Sequence, residues 1–263
     1  MAYTVLCHNE CVTSCLLLIS LHNLFKFYLY QKNVKYISIL YYFELILEGD
    51  LIVLVGGEKG GPGKTTIASN IATLRTKEIE DVLLVDTDRQ PTASYWCSLR
   101  EDKGVKPRIS SIQKYDKAVR TEIAELKKKY TDIIIDAGGR DSPELRGSLL
   151  ICDKAIFPLR PSQFDLWTLG RLNTLVETAM EINEKLKAYI MINQASPNPV
   201  VKEAEEMKSF LSEFENIKLL NTVVCERIVF RRAALNGMAV TEYKPEDSKA
   251  NEEITNLYNE IFK

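Results

Sequence analysis

Residues 59–66 read Lys59-Gly60-Gly61-Pro62-Gly63-Lys64-Thr65-Thr66, and this octapeptide constrains the chain more than any other segment. Five apolar residues precede it, Leu51-Ile52-Val53-Leu54-Val55, which read as a buried strand. A helical stripe follows from Thr66 to Thr76, with Ile67, Ile71 and Leu74 on one side. Strand, glycine loop and helix in that order are the setting of a phosphate cradle. The glycines let backbone N–H groups turn toward phosphate oxygens, and the helix N-terminus adds partial positive charge. In such a loop Lys64 reaches the β- and γ-phosphates and the Thr65 hydroxyl holds Mg2+, while Gly60, Gly61, Pro62, Gly63 and Thr66 complete the wrap. At average residue usage, seven fixed positions in this order arise by chance in on the order of one chain in a million of this size.

The ordinary form of the loop carries glycine five residues before Gly63, and Glu58 stands there instead. The variant Lys-Gly-Gly-x-Gly-Lys-Thr-Thr is met in full. It resembles the deviant Walker A motif of the ParA/MinD family of ATPases. That resemblance implies a P-loop fold, ATP and Mg2+ as cofactors, and a special role for Lys59, which reaches the phosphates of nucleotide bound by a partner subunit.

Two more segments belong with the loop. In Asp81-Val82-Leu83-Leu84-Val85-Asp86-Thr87-Asp88-Arg89-Gln90-Pro91 an apolar run ends in two acids spaced two apart. On an extended backbone these face the same side, and at the C-terminal end of a parallel strand they face the ligand crevice. By itself the pattern is equally that of a strand ending in an aspartate turn. It resembles the family's Asp-x-Asp-Pro-Gln segment, which implies that Asp86 supports the metal and Asp88 orients the attacking water; Arg89 departs from the family's proline. In Tyr130-Thr131-Asp132-Ile133-Ile134-Ile135-Asp136-Ala137-Gly138-Gly139-Arg140-Asp141-Ser142 three isoleucines lead to Asp136, a Walker B pattern whose carboxylate holds Mg2+. Gly138 and Gly139 give the next loop freedom to move with the γ-phosphate. Most of the family has two prolines here, and this version looks like a smaller plasmid-partition subgroup. Arg140 reads as a surface salt bridge in preference to a charge-stabilising group.

Apolar runs at 51–55, 82–85, 133–135, 155–159, 188–192 and 217–224 read as buried strands, with a weaker one near Arg108 to Ile112. Helical patterns lie between them at Asp116–Lys129, Leu166–Leu186, Val200–Phe214 and Ser248–Phe262. The alternation predicts an α/β fold, a mainly parallel doubly wound sheet flanked by helices. With 46% apolar and 27% charged residues the chain has the composition of a globular enzyme, and no linker divides residues 51–263, which read as one P-loop ATPase domain. Cys97, Cys152 and Cys225 are scattered and read as core residues of a chain without disulfides.

Residues 1–50 do not fit this pattern. Cys7, Cys11 and Cys15 and both histidines, His8 and His22, fall here among Leu, Tyr, Phe, Ile and Lys. The run from Val12 to Phe25 is too short to span a membrane comfortably. A signal peptide needs positive charge ahead of its apolar run, and residues 1–10 hold Glu10 and no Lys or Arg. The expectation is an apolar N-terminal extension from a misassigned start, with a non-ATG codon near Leu45–Leu51 as the true one. Intact native peptides from residues 2–40 in a mass spectrum would end that expectation.

The resemblance covers about residues 50–263, with Ala155-Ile156-Phe157-Pro158-Leu159-Arg160-Pro161-Ser162 followed by Asp165, and Glu226-Arg227-Ile228-Val229-Phe230-Arg231-Arg232-Ala233, as its looser downstream matches. It implies a cytoplasmic, nucleoid-associated partition ATPase for DNA segregation. ATP draws two subunits into a homodimer, the dimer binds DNA without sequence preference, and a centromere-binding ParB-like partner stimulates hydrolysis. A formal charge of −2 argues against a standing attraction to nucleic acid, so contacts fall to a local patch: Arg227, Arg231 and Arg232, with Lys202 and Lys208 as further candidates. Lys127-Lys128-Lys129 reads as cations closing a helix. Asn193 sits where the family contacts the base, and it is equally a turn-forming residue after a strand. The rival is a MinD-like or other nucleotide-gated positioning or scaffold ATPase. A membrane-bound relative needs a basic amphipathic C-terminal helix, whereas residues 250–263 are acidic, and no membrane contact is expected.

Overall fold

The computed structural model describes residues 51–116, 119–139, 141–161, 169–198, 211 and 214–263. The N-terminal extension with its cysteines and histidines lies outside the described residues. So do Arg140, Ser162, Asp165, Lys202, Lys208 and nearly all of the helix expected at 200–214.

Seven strands form one sheet: β1 Leu51–Val55, β2 Val82–Asp86, β3 Ser110–Gln113, β4 Asp132–Asp136, β5 Lys154–Leu159, β6 Lys187–Ala195 and β7 Ile217–Cys225. Their order is β3-β2-β4-β1-β5-β6-β7, and every neighbouring pair is parallel. The expected mainly parallel sheet is therefore parallel throughout, and the weak run near residue 110 is its edge strand. Helices α1 Lys64–Glu78, α2 Thr92–Asp102, α3 Val119–Leu126, α4 Pro143–Leu149, α5 Leu169–Met180, α6 Ile228–Ala234 and α7 Ser248–Phe262 complete the described elements, with one 3-10 turn at Val240–Glu242.

Alternate residues of each strand enter opposite cores, as the two-residue repeat of a strand demands. Ile52 and Leu54 of β1, with Ile133 and Ile135 of β4, pack under α3, α4 and α5 against Val119, Leu145 and Leu172. Val53, Val55 and Ile134 face the other way, onto Ile67 and Ile71 of α1, Trp96 of α2, and Leu257 and Phe262 of α7. Each such fully buried aliphatic or aromatic side chain contributes about 1.5–3 kcal/mol relative to exposure. This two-sided burial explains why the strands read as unbroken apolar runs.

Three helices, α2, α4 and α6, are not among those expected from sequence. Helix α4 nevertheless carries a readable start, because Ser142 accepts a hydrogen bond from Leu145 N at its N-cap and Pro143 occupies the first turn. Helix α7 matches its expected span of Ser248–Phe262, with Asp247 capping it through Ala250 N at 3.1 Å.

The topology opens a crevice above β1. Strand β1 lies between β4 and β5; the chain leaves it toward β2 on one side, and the later crossover from β4 passes it to reach β5 on the other, so the loop after β1 emerges where the winding reverses. Register then aligns the acids. Val55 and Asp86 are both partners of Asp136, at the C-terminal ends of three adjacent strands.

Candidate nucleotide site

The loop between β1 and α1 reaches its shape through glycine. Gly61 and Gly63 have φ of 91° and 86°, a left-handed conformation that residues with a Cβ rarely adopt. A Cβ on Gly63 would also lie 2.5 Å from Asn193 Nδ2. That amide donates to Pro62 O at 2.6 Å from a fully buried position. On the other flank Arg160 donates to Gly61 O at 2.8 Å, and its Nε donates to Gln194. The ends of β5 and β6 therefore fix the loop from outside. Arg160 has no place in the sequence-based site, although a basic residue between strand and proline was a readable signal there. Asn193 joins the loop as a support, a contact that spacing could not reveal.

Lys64 and Thr65 begin α1. Lys64 is buried, and its ammonium donates to Lys59 O at 2.6 Å. Burial pulls its pKa down, opposed by Asp136 and then Asp88. The Thr65 hydroxyl donates to Asp136 Oδ2 at 2.6 Å. The other oxygen, Asp136 Oδ1, is buried without a hydrogen-bond partner among the described residues. Desolvation pushes this carboxyl from its ordinary 3.8 to about 7; the Thr65 hydrogen bond opposes the rise and neighbouring Asp86 adds to it. An orphaned carboxylate oxygen beside a threonine hydroxyl and a second acid suits a divalent cation held by oxygen ligands.

Asp86 is fully buried and fully used: it accepts Asp88 N at 3.1 Å and Ser94 N at 2.9 Å. Desolvation raises its pKa, and those two backbone donors resist. Asp88 is half-exposed and accepts Gln90 N at 3.0 Å. Opposite it lies the loop after β4, where a Cβ on Gly138 would be 3.2 Å from the Asp88 carboxyl carbon. A Cβ on Gly139 would be 2.5 Å from Gly60 N and Lys59 O. The loop after Asp136 thus rests directly on the phosphate loop. Lys59, Lys64, Thr65, Asp86, Asp88 and Asp136 all gather at this one crevice. Glu58, the departure at the start of the loop, pairs with Arg171 of α5 at 3.3 Å.

The three arginines named from sequence separate. Arg227 is spent on Glu253 of α7, Nη2 to Oε1 at 2.6 Å, and is mostly buried. Arg231 and Arg232 are exposed on α6. A groove runs from the first turn of α1 to α6, lined by Thr66, Asn193, Cys225, Arg227, Phe230 and Arg231 among others. Lys127 and Lys128, at the end of α3, pair with Asp153 at 3.6 Å and Glu125 at 2.7 Å.

Known proteins resemble this chain in sequence and in fold. Residues 53–240 match the model of the CobQ/CobB/MinD/ParA nucleotide binding domain. The maintenance of carboxysome distribution protein A of Halothiobacillus neapolitanus is 29% identical over 212 residues, covering 79% of this chain and 94% of that protein. Among solved structures, apo McdA from Cyanthece superposes with a TM-score of 0.67 at 12% identity, covering 80% of this chain and 99% of that one. A plasmid partition protein from Borrelia burgdorferi bound to AMPPNP gives 0.62 at 18% identity, over 80% and 98%. At such identities the structural likeness speaks for the fold, and the matched domain, which spans most of the chain, makes this protein a member of the ParA/MinD family of P-loop nucleotide-binding proteins.

Proposed function

We propose that this protein is a partition-type positioning ATPase that hydrolyses ATP to ADP and phosphate, dimerises on ATP and binds DNA without sequence preference. One observation carries the catalytic part: the orphaned Asp136 oxygen sits beside the Thr65 hydroxyl and Asp86 at the mouth of a glycine loop. Thr65 and Asp136, backed by Asp86, would hold Mg2+, which when bound neutralises charge on the β- and γ-phosphates. Lys64 supplies the loop's own positive charge, held back from water and already turned inward onto Lys59 O. Asp88, half-exposed opposite Gly138, would orient an attacking water. The groove lined by Asn193, Gln194 and Phe230 extends from the first turn of α1 and offers an aromatic and two polar side chains for base and ribose.

Arg231 and Arg232 carry the DNA contact in this reading, and Arg227 leaves the set because Glu253 already neutralises it. The apolar face of α7, Ile254, Leu257, Ile261 and Phe262, is buried in the fold, which argues against a membrane-binding role for that helix. Among the described residues no helix is long and apolar enough to cross a membrane. A centromere-binding, ParB-like protein is the proposed activator. A second reading comes from the relative named for carboxysome distribution: the same cycle can position a protein-walled cargo, with DNA serving as the track. The first test is Lys64→Ala. Titration calorimetry should show ATP binding lost; retained affinity would remove the proposed role of the loop. Steady-state hydrolysis with and without duplex DNA then separates an ATPase from a non-hydrolysing scaffold.

A further inference from the structure

Helix α2 connects the acid cluster to α6. At its N-terminal end Ser94 N donates to Asp86 Oδ2 at 2.9 Å. At its C-terminal end Arg100 is fully buried and donates four hydrogen bonds: Nε to Pro107 O at 2.8 Å, Nη1 to Gly237 O at 3.0 Å, and a fork onto Glu242 at 2.7 and 2.8 Å. Lys103, one turn further, donates to Leu235 O at 3.2 Å and Asn236 Oδ1 at 2.9 Å. Gly237, at φ 65°, approaches so closely that a Cβ there would lie 2.6 Å from Arg100 N. Glu242 also accepts Ala239 N at 2.9 Å, and Val240 N donates to Asn70 Oδ1 of α1 at 2.8 Å.

Residues 235–242 continue directly from α6, so the end of that helix is fastened to α1 and α2. Those are the two helices that start at the phosphate loop and beside Asp86. An eleven-residue helix is a rod of about 16 Å, long enough for α2 to act as a strut from the carboxylate to α6. A buried ion pair is a poor source of net stability, because desolvation offsets most of the attraction. What a forked guanidinium–carboxylate pair supplies is fixed direction. Here it fixes the helix that exposes Arg231 and Arg232.

We infer that Arg100 and Glu242, assisted by Lys103, are positioning residues that make the affinity of the α6 arginines for DNA depend on occupancy of the phosphate site. This inference rests on the reading of α6 as the DNA-contacting face. The test uses the full chain and a short random-sequence duplex. Anisotropy gives its affinity with and without Mg2+ and a non-hydrolysable ATP analogue, and the ratio of the two affinities measures the linkage. Glu242→Gln and Lys103→Ala should each lower that ratio by about fivefold or more, with nucleotide affinity in the absence of DNA changed by less than about twofold. Lys103→Arg should restore it. Lys103 is exposed, so its variant reads the linkage even where Glu242→Gln fails to fold. An unchanged ratio in the folded variants, or an equal loss of affinity in both nucleotide states, would overturn the inference while leaving the DNA reading intact. Nucleotide-independent binding by the unsubstituted protein would overturn the inference alone, and absent binding would overturn the DNA reading and this inference with it.

Discussion

Gly139 shows how tightly single residues are constrained here. Its α-carbon faces the backbone of Lys59 and Gly60 with no room for a methyl group, since a Cβ would sit 2.5 Å from both. Gly139→Ala should therefore push the two loops apart, costing about 1–3 kcal/mol of stability from overpacking, and lower kcat more than it weakens ATP binding. Thermal melts and single-turnover kinetics check the two halves of that statement. Asp136 makes a second residue-level prediction. Its carboxyl rises from 3.8 to about 7 on burial. A raised acid favours the folded chain most below its unfolded value, and that contribution is lost as pH rises through about 7. A cation needs the ionised form, so binding Mg2+ and nucleotide at pH 6 should release protons, and the release should fade above pH 8. Calorimetry in buffers of different ionisation enthalpy measures it; an identical, near-zero release at both pH values would show that Asp136 is already ionised before the cation arrives.

At the scale of elements, α7 closes one face of the sheet through Ile254, Leu257, Ile261 and Phe262, all buried. Its polar residues also work inward. Glu260 accepts the backbone N–H groups of Asn221 and Thr222 on the edge strand β7, and Glu253 accepts Cys225 N and Arg227. The acidity noted in residues 250–263 thus serves in part to cap an open sheet edge. Asp247→Ala removes the N-cap and should cost about 0.5–2 kcal/mol, while Leu257→Ala should cost about 2–5 kcal/mol through the cavity left behind. Urea titration of both variants gives the comparison, and a larger loss for Asp247→Ala would mean that packing is not what holds α7.

At the scale of the whole molecule, the phosphate loop and the loop after Asp136 share one surface, with Lys59 half-buried at their junction. In the proposed cycle a second copy approaches this face, and Lys59 acts across the junction. Lys59→Ala should then leave ATP affinity within about twofold and abolish the ATP-induced rise in mass, a loss of interface energy and not of ligand contacts. Light scattering with a non-hydrolysable analogue decides it: a dimer of normal stability would confine Lys59 to its own subunit.

The strands, the cradle and the three acids were legible in sequence because each is encoded locally. An apolar run, a glycine bracketed by lysines, or an aspartate closing a strand needs only neighbouring residues to be recognised. Even the edge strand β3 showed, faintly, because half-buried edges carry a weaker apolar signal. Contacts between distant segments were not legible. Asp86 and Asp136 meet because β2 and β4 are register partners, 50 positions apart in the chain. Asn193 supports Pro62 across 131 positions, and Glu253 claims Arg227 from the candidate DNA patch. The sequence by itself determined the glycine loop with its two lysines and the aspartates that close β2 and β4. Only the tertiary structure decided which of them share a crevice, because strand order and register follow from burying both sheet faces at once, and no local window contains that information.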